Sequence, residues 1–282
     1  MNNRTIWKLA ILLICAAGLL LARQAQPAPQ AAPQSPVAKQ PVVKSKEEAD
    51  ALMAMFNAKD SDSRIAAGEA LVQKFADTQF KSLALFFIAA SYLEKNDYEK
   101  TITYAERSLQ ADPENYQAML MLARTLAGRT KEFDLDREEK LATVEKHGNR
   151  VLEILKTAPR PNPNVTDEQW DGAKKEFTAQ VYEAFGMAAM ARNKPDQAIE
   201  QYRKALDTSP NPDPATMVRL GGAYAKAAKY DDAVAAFDKV MAMTQVDTAV
   251  RQIAQAERLR ALQSKNGGAA PAAPAPPAPA KP

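Results

Sequence analysis

Tyr182-Glu-Ala-Phe185-Gly186-Met-Ala-Ala189, continued by Ala198-Ile-Glu-Gln-Tyr202 and Ala205-Leu206, decides how this chain is built. It returns as Met217-Val-Arg-Leu220-Gly221-Gly-Ala-Tyr224, then Tyr230-Asp-Asp-Ala233 and Phe237. Gly186 and Gly221 are 35 residues apart, as are Ala198 and Ala233. An earlier copy reads Leu85-Phe-Phe-Ile88-Ala89-Ala-Ser-Tyr92, Asp97-Tyr98, Ala105, Ser108-Leu109 and Asp112-Pro113. Apolar residues recur at three and four, which is the helix period and not the strand period. Small residues at Ala89, Gly186 and Gly221 let a first helix approach its second closely, and Ala198 and Ala233 do the same from the other side. Tyr92, Tyr202, Tyr224 and Phe237 fill the space between hairpins. Pro113 and Pro210 stop the second helix.

Small, aromatic and proline positions in that order resemble the tetratricopeptide repeat, a helix–turn–helix unit of about 34 residues. The resemblance implies an all-α fold, an α-solenoid whose hairpins bury a core only by stacking on neighbours. It places repeats at about 82–115, 179–212 and 214–247. A further repeat at 116–178 departs from the pattern. Met119, Leu122, Ala123 and Leu126 mark its first helix, the connector from Gly128 to Phe133 is long, and its second helix spans about Asp136–Thr157. Thr166-Asp-Glu-Gln169 is a capping box for a helix that continues unbroken into the next repeat. Residues 45–79 read as a degenerate hairpin of helices at about 46–57 and 62–76. Residues 247–264 read as a capping helix with Val250, Ile253, Ala254, Leu259 and Leu262 inward.

The two ends lie outside this array. Arg4 and Lys8 precede Leu9–Ala22, a run of 14 apolar residues. At about 1.5 Å per residue that run spans about 21 Å, short of a hydrocarbon core of about 30 Å. Residues 1–22 therefore read as a secretory signal peptide or, counted from Ile6, as an N-terminal membrane anchor. Either places the folded part outside the cytoplasm, in the periplasm or cell envelope. The linker 23–44 and the tail 266–282 hold 11 of the 19 prolines and no aromatic residue. Both are expected to be extended and disordered.

Composition excludes much chemistry. The 37 basic and 34 acidic residues leave a net charge of +3, which gives no electrostatic case for nucleic acid. One Cys and one His leave no metal-ligand set, and neither a cofactor nor a metal is expected. His147 sits alone in a charged helix. Asp167, Glu168 and Asp171 occupy a helix's first turn, where the macrodipole favours negative charge without any catalytic role. No phosphate loop or nucleophile elbow occurs, so an enzyme is not expected.

What remains is the surface that the resemblance implies is concave, lined by first-helix positions that do not face their own second helix. Carried over position by position, it includes Phe86, Leu93, Leu120, Arg124, Glu183, Met187, Met190 and Val218. Chaperone-binding relatives hold a terminal carboxylate with Lys, Asn and Arg there; Phe86 and Ala90 stand where Lys and Asn are needed. The lining is apolar and Met-rich, suited to a protein or peptide segment of varied shape. Phe86 and Met187 are the expected anchors, with Arg124 and Glu183 setting orientation. Two readings stay open: a binding scaffold of the cell envelope, and a self-associating structural envelope protein. The second joins copies through repeat edges or the C-terminal helix. Separately, cover by the degenerate first hairpin or by the helix from Thr166 would make part of this surface core.

Overall fold

The computed structural model describes residues 36–267. The apolar run at 9–22, the linker to residue 35 and the tail from 268 lie outside the described residues. Among the described residues there are eleven helices and no strand beyond one isolated bridge. They are α1 Lys46–Phe56, α2 Ser61–Lys74, α3 Lys81–Glu94, α4 Tyr98–Ala111, α5 Tyr116–Arg129 and α6 Arg137–Thr157. Then come α7 Asp167–Ala191, α8 Pro195–Thr208, α9 Pro214–Lys226, α10 Tyr230–Ala242 and α11 Thr248–Lys265. The fold is all-α, of the tetratricopeptide solenoid class, in two compact units that divide after Pro212. No helix among the described residues is long and apolar enough to cross a membrane.

Three of the hairpins turn in the same way. Asn96, Asn193 and Ala228 take left-handed backbone, with φ of 60°, 57° and 57°. The next N–H then reaches back five residues: Asp97 to the Tyr92 carbonyl, Lys194 to Ala189 and Lys229 to Tyr224, each at 2.9 Å. This satisfies carbonyls that the helix end would otherwise leave unpaired. Asparagine adopts this conformation at lower cost than alanine.

The seams between paired helices depend on missing side chains. A Cβ at Gly186 would stand 2.5 Å from Tyr202 Cδ1, and one at Gly221 would stand 2.5 Å from Phe237 Cε1. Both rings are buried. Gly148 plays the same part for α6, where a Cβ would stand 2.7 Å from Phe185 Cζ. The irregular repeat follows from length. The 21-residue α6 packs on both α5 and α7, and the 25-residue α7 starts at a complete Thr166–Gln169 capping box before pairing with α8.

Two expectations are corrected. The linker does not run free to Lys44. From Pro36 it is an extended strap bound to the first unit: Ala38 N–H donates to Arg160 O (2.8 Å), and Arg160 N–H donates to Pro36 O (2.9 Å). Gln40 Nε2 donates to Pro161 O (2.6 Å), and Lys44 N–H donates to Glu48 Oε2 (2.5 Å). Backbone hydrogen bonds hold a segment whose side chains offer little to bury. In α11, Ala254 and Ala261 are the buried residues, while Ile253 and Leu259 stay half-exposed. Alanine lets α11 lie close on Phe237 and Val240, and the larger side chains are displaced to the flanks.

Candidate functional site

The first helices α3, α5 and α7 carry the expected groove of the first unit, and much of that groove is closed. Phe86 is 1% exposed and Leu120 is 2% exposed. Phe86 belongs to one core cluster with Leu52 and Met55 of α1, Leu71 of α2 and Met121 of α5. Phe56 of α1 meets Phe87 edge to face, with ring centroids 5.3 Å apart. Leu120 joins Met119, Val151, Leu155 and Val181, under the long helices of the irregular repeat. The expectation that Phe86 anchors a partner, with Leu120 beside it in an open groove, is therefore corrected. α1 and α2 complete the first side chain's core, and α6 and α7 complete the second's.

Arg124 and Glu183 face each other and not solvent. Arg124 Nη2 donates to Glu183 Oε2 (2.9 Å), and Nη1 donates to Gln180 Oε1 (3.2 Å), tying α5 to α7. The Glu183 side chain is 5% exposed and that of Arg124 is 21% exposed. Such a pair fixes the register of two helices, because either charge alone would be costly there. Arg124 Nε is buried without a partner, so the guanidinium is not fully satisfied.

Leu93, Met187 and Met190 stay half-buried. Leu93 and Met187 rest against the same core cluster, each with part of its side chain open. A Cβ at Gly128, at the end of α5, would be 3.8 Å from Met187 Sδ. In the second unit, Val218 is half-buried against the cluster of Phe237 and Val240. His147 is half-buried on α6; burial, with Lys146 adding to it, holds its imidazole below its ordinary value.

A second constellation escaped the sequence reading. The connector Lys131-Glu-Phe-Asp-Leu-Asp136 displays Phe133 at 89% and Leu135 at 107% exposure. It is not slack. Lys131 N–H donates to Asp134 Oδ2 (3.0 Å), Arg137 Nη1 donates to Glu132 O (2.6 Å), and Lys140 pairs with Asp136 (2.8 Å). The signal lay in two large apolar residues among acids in an overlong connector.

At the other end of α6, the strap and the 158–161 turn enclose a cleft of about 490 Å³ with Pro41, Tyr116, Ile154, Pro159 and Pro161 among its walls. Behind it Tyr116, Trp170 and Phe177 form an aromatic cluster, and Trp170 Nε1 donates to Ala158 O (2.9 Å). Burial pushes the Tyr116 phenol far above its ordinary value, so it stays neutral. At the lip, Arg150 bridges Glu114 and Glu153. Lys39 is exposed, with no ion-pair partner among the described residues.

The repeated left-handed turns and the glycine seams describe one unit used several times. Models of the tetratricopeptide repeat match residues 88–146 and 189–262. The chain carries tetratricopeptide repeats. No curated protein matches it. Among solved structures, a thermophilic tetratricopeptide-repeat protein of Thermus thermophilus is similar at 17% identity and a TM-score of 0.48. That likeness covers 75% of this chain and 99% of the other. An assembly chaperone of RpL4 is similar at 13% identity and a TM-score of 0.38, covering 79% of this chain and 98% of the other.

Proposed function

We propose that this tetratricopeptide-repeat protein is a non-enzymatic scaffold of the cell envelope that binds a protein or peptide segment. The observation that carries the reading is the repeat itself, matched at 88–146 and 189–262. Stacked hairpins supply rigid surface, and nothing in that use requires a cofactor. The partner's place is the half-open strip of Leu93, Met187 and Met190, where thioether side chains adapt to varied shapes. Arg124 and Glu183 tie α5 to α7 and do not touch the partner. The envelope location rests on the basic start and the apolar run at 9–22, through which alone the protein meets a membrane.

Two experiments test this. A photoreactive benzoylphenylalanine at Met190 of the intact chain is expected to give a protein adduct in cells, and one at Glu106 on α4 is not. Equal adducts at both positions, or none at Met190 and Leu93, would remove the strip from the account. A reporter fused after Lys44 is expected to be active outside the cytoplasm; activity only inside would remove the location.

A further inference from the structure

The loop and the cleft described above stand at opposite ends of one helix. α6 has 21 residues, so about 30 Å separates them and neither can reach the other within one chain. They are chemically complementary. The loop offers Phe133 and Leu135 among carboxylates, and the cleft offers an apolar wall with the unpartnered Lys39 at its lip. The helix between them is complementary to its own reverse. Its exposed first half carries Glu138, Glu139 and Glu145 beside Lys146, and its exposed second half carries Arg150 and Lys156 beside Glu153. Glu138 and Glu145 are held by Arg192, whereas Glu139 and Lys156 have no ion-pair partner among the described residues.

We infer that two copies of this chain pair along antiparallel α6 helices, each inserting its Phe133–Leu135 loop into the strap cleft of the other. A two-fold axis at His147, the mid-point of α6, sets Leu135 opposite Pro159 and Phe133 opposite Pro161. The same axis brings Glu138 and Glu139 of one copy to Lys156 of the other. A single operation thus covers both exposed apolar side chains, fills the cleft and pairs the free charges. The contact closes on itself, as a two-fold interface must. It does not involve the Leu93–Met187–Met190 strip, so the two sites stand or fall separately.

The test is cysteine cross-linking in the intact chain with Cys15→Ser removing the native thiol. Chains carrying Asp136→Cys are mixed with chains carrying Thr157→Cys and oxidised. The pairing requires a disulfide-linked dimer in the mixture and none with either chain alone, because like positions stand at opposite ends of the paired helices. In that mixture, Phe133→Ser with Leu135→Ser is expected to abolish the dimer while helicity by circular dichroism is unchanged. Glu139→Lys and Lys156→Glu are each expected to lower its yield about two- to fivefold, and the two together in one chain to restore it. No dimer in the mixture, equal dimer from a single variant, or no restoration by the charge swap overturns the inference. So does an adduct of Asp136→Cys with a different protein in place of the dimer.

Discussion

At the scale of single residues, two neighbouring glycines of α9 separate packing from propensity. A Cβ at Gly221 collides with the fully buried Phe237 ring, whereas at Gly222 nothing lies within 4 Å. Gly221→Ala is therefore expected to destabilise the protein by about 1–3 kcal/mol through overpacking. Gly222→Ala is expected to stabilise it by about 0.5–1 kcal/mol, because alanine is the better helix former. Urea unfolding midpoints of the two variants check this directly. Ala228 has the left-handed φ of 57° that Asn96 and Asn193 adopt more easily. Ala228→Gly is expected to raise stability by about 0.5–1 kcal/mol, read from the same midpoints. The Arg124–Glu183 pair works in the other direction. Arg124→Met takes the ion pair with Arg124 from a buried carboxylate and is expected to cost about 2–4 kcal/mol, somewhat below a fully buried pair because Arg124 is one-fifth exposed.

At the scale of elements, the strap and the α1–α2 hairpin share one buried carboxylate. Glu48 Oε1 accepts from the Thr78 hydroxyl (2.5 Å), and Oε2 accepts from Lys44 N–H (2.5 Å). The Thr78 hydrogen bond, then the Lys44 N–H, hold this carboxyl below the ordinary glutamate value of 4.5, against the opposing pull of burial. A carboxyl whose value is lowered by folding adds stability above 4.5, and that stability is lost as the pH falls through the lowered folded value. Urea midpoints measured from pH 6 down to pH 3 are expected to drop in this window. Glu48→Gln is expected to flatten that drop and to weaken protection of residues 36–44 in hydrogen exchange.

The strap was not legible in the sequence because its hold is backbone hydrogen bonding, and its composition of Pro, Val, Ala and Lys signals only extension. The repeats were legible for the opposite reason. A seam such as Gly186 on Tyr202 needs a small and an aromatic residue at fixed spacing, and spacing is what a sequence displays. Leu120 was misplaced because its cover comes from α6 and α7, whose irregular lengths broke the register that carried the groove positions over. Phe133 and Leu135 passed unnoticed because a helix period has nothing to say about a connector.

At the scale of the molecule, a stack of hairpins gains stability from each repeat and its neighbour interfaces, so a degenerate first hairpin is under pressure to cover the apolar face beside it. That is what α1 and α2 do for Phe86 and Phe87. The cost is a shorter groove. The partner surface contracts to half-buried side chains such as Leu93 and Met190, and the central claim is that Phe86 and Leu120 belong to the core while these two remain reachable. Thiol labelling in the folded chain, with Cys15→Ser as background, tests it most directly. Leu93→Cys and Met190→Cys are predicted to react with a maleimide readily, and Phe86→Cys and Leu120→Cys only once the protein is unfolded. Reaction of Phe86→Cys in the folded protein at the rate of the unfolded chain would contradict the closed core and reopen the groove.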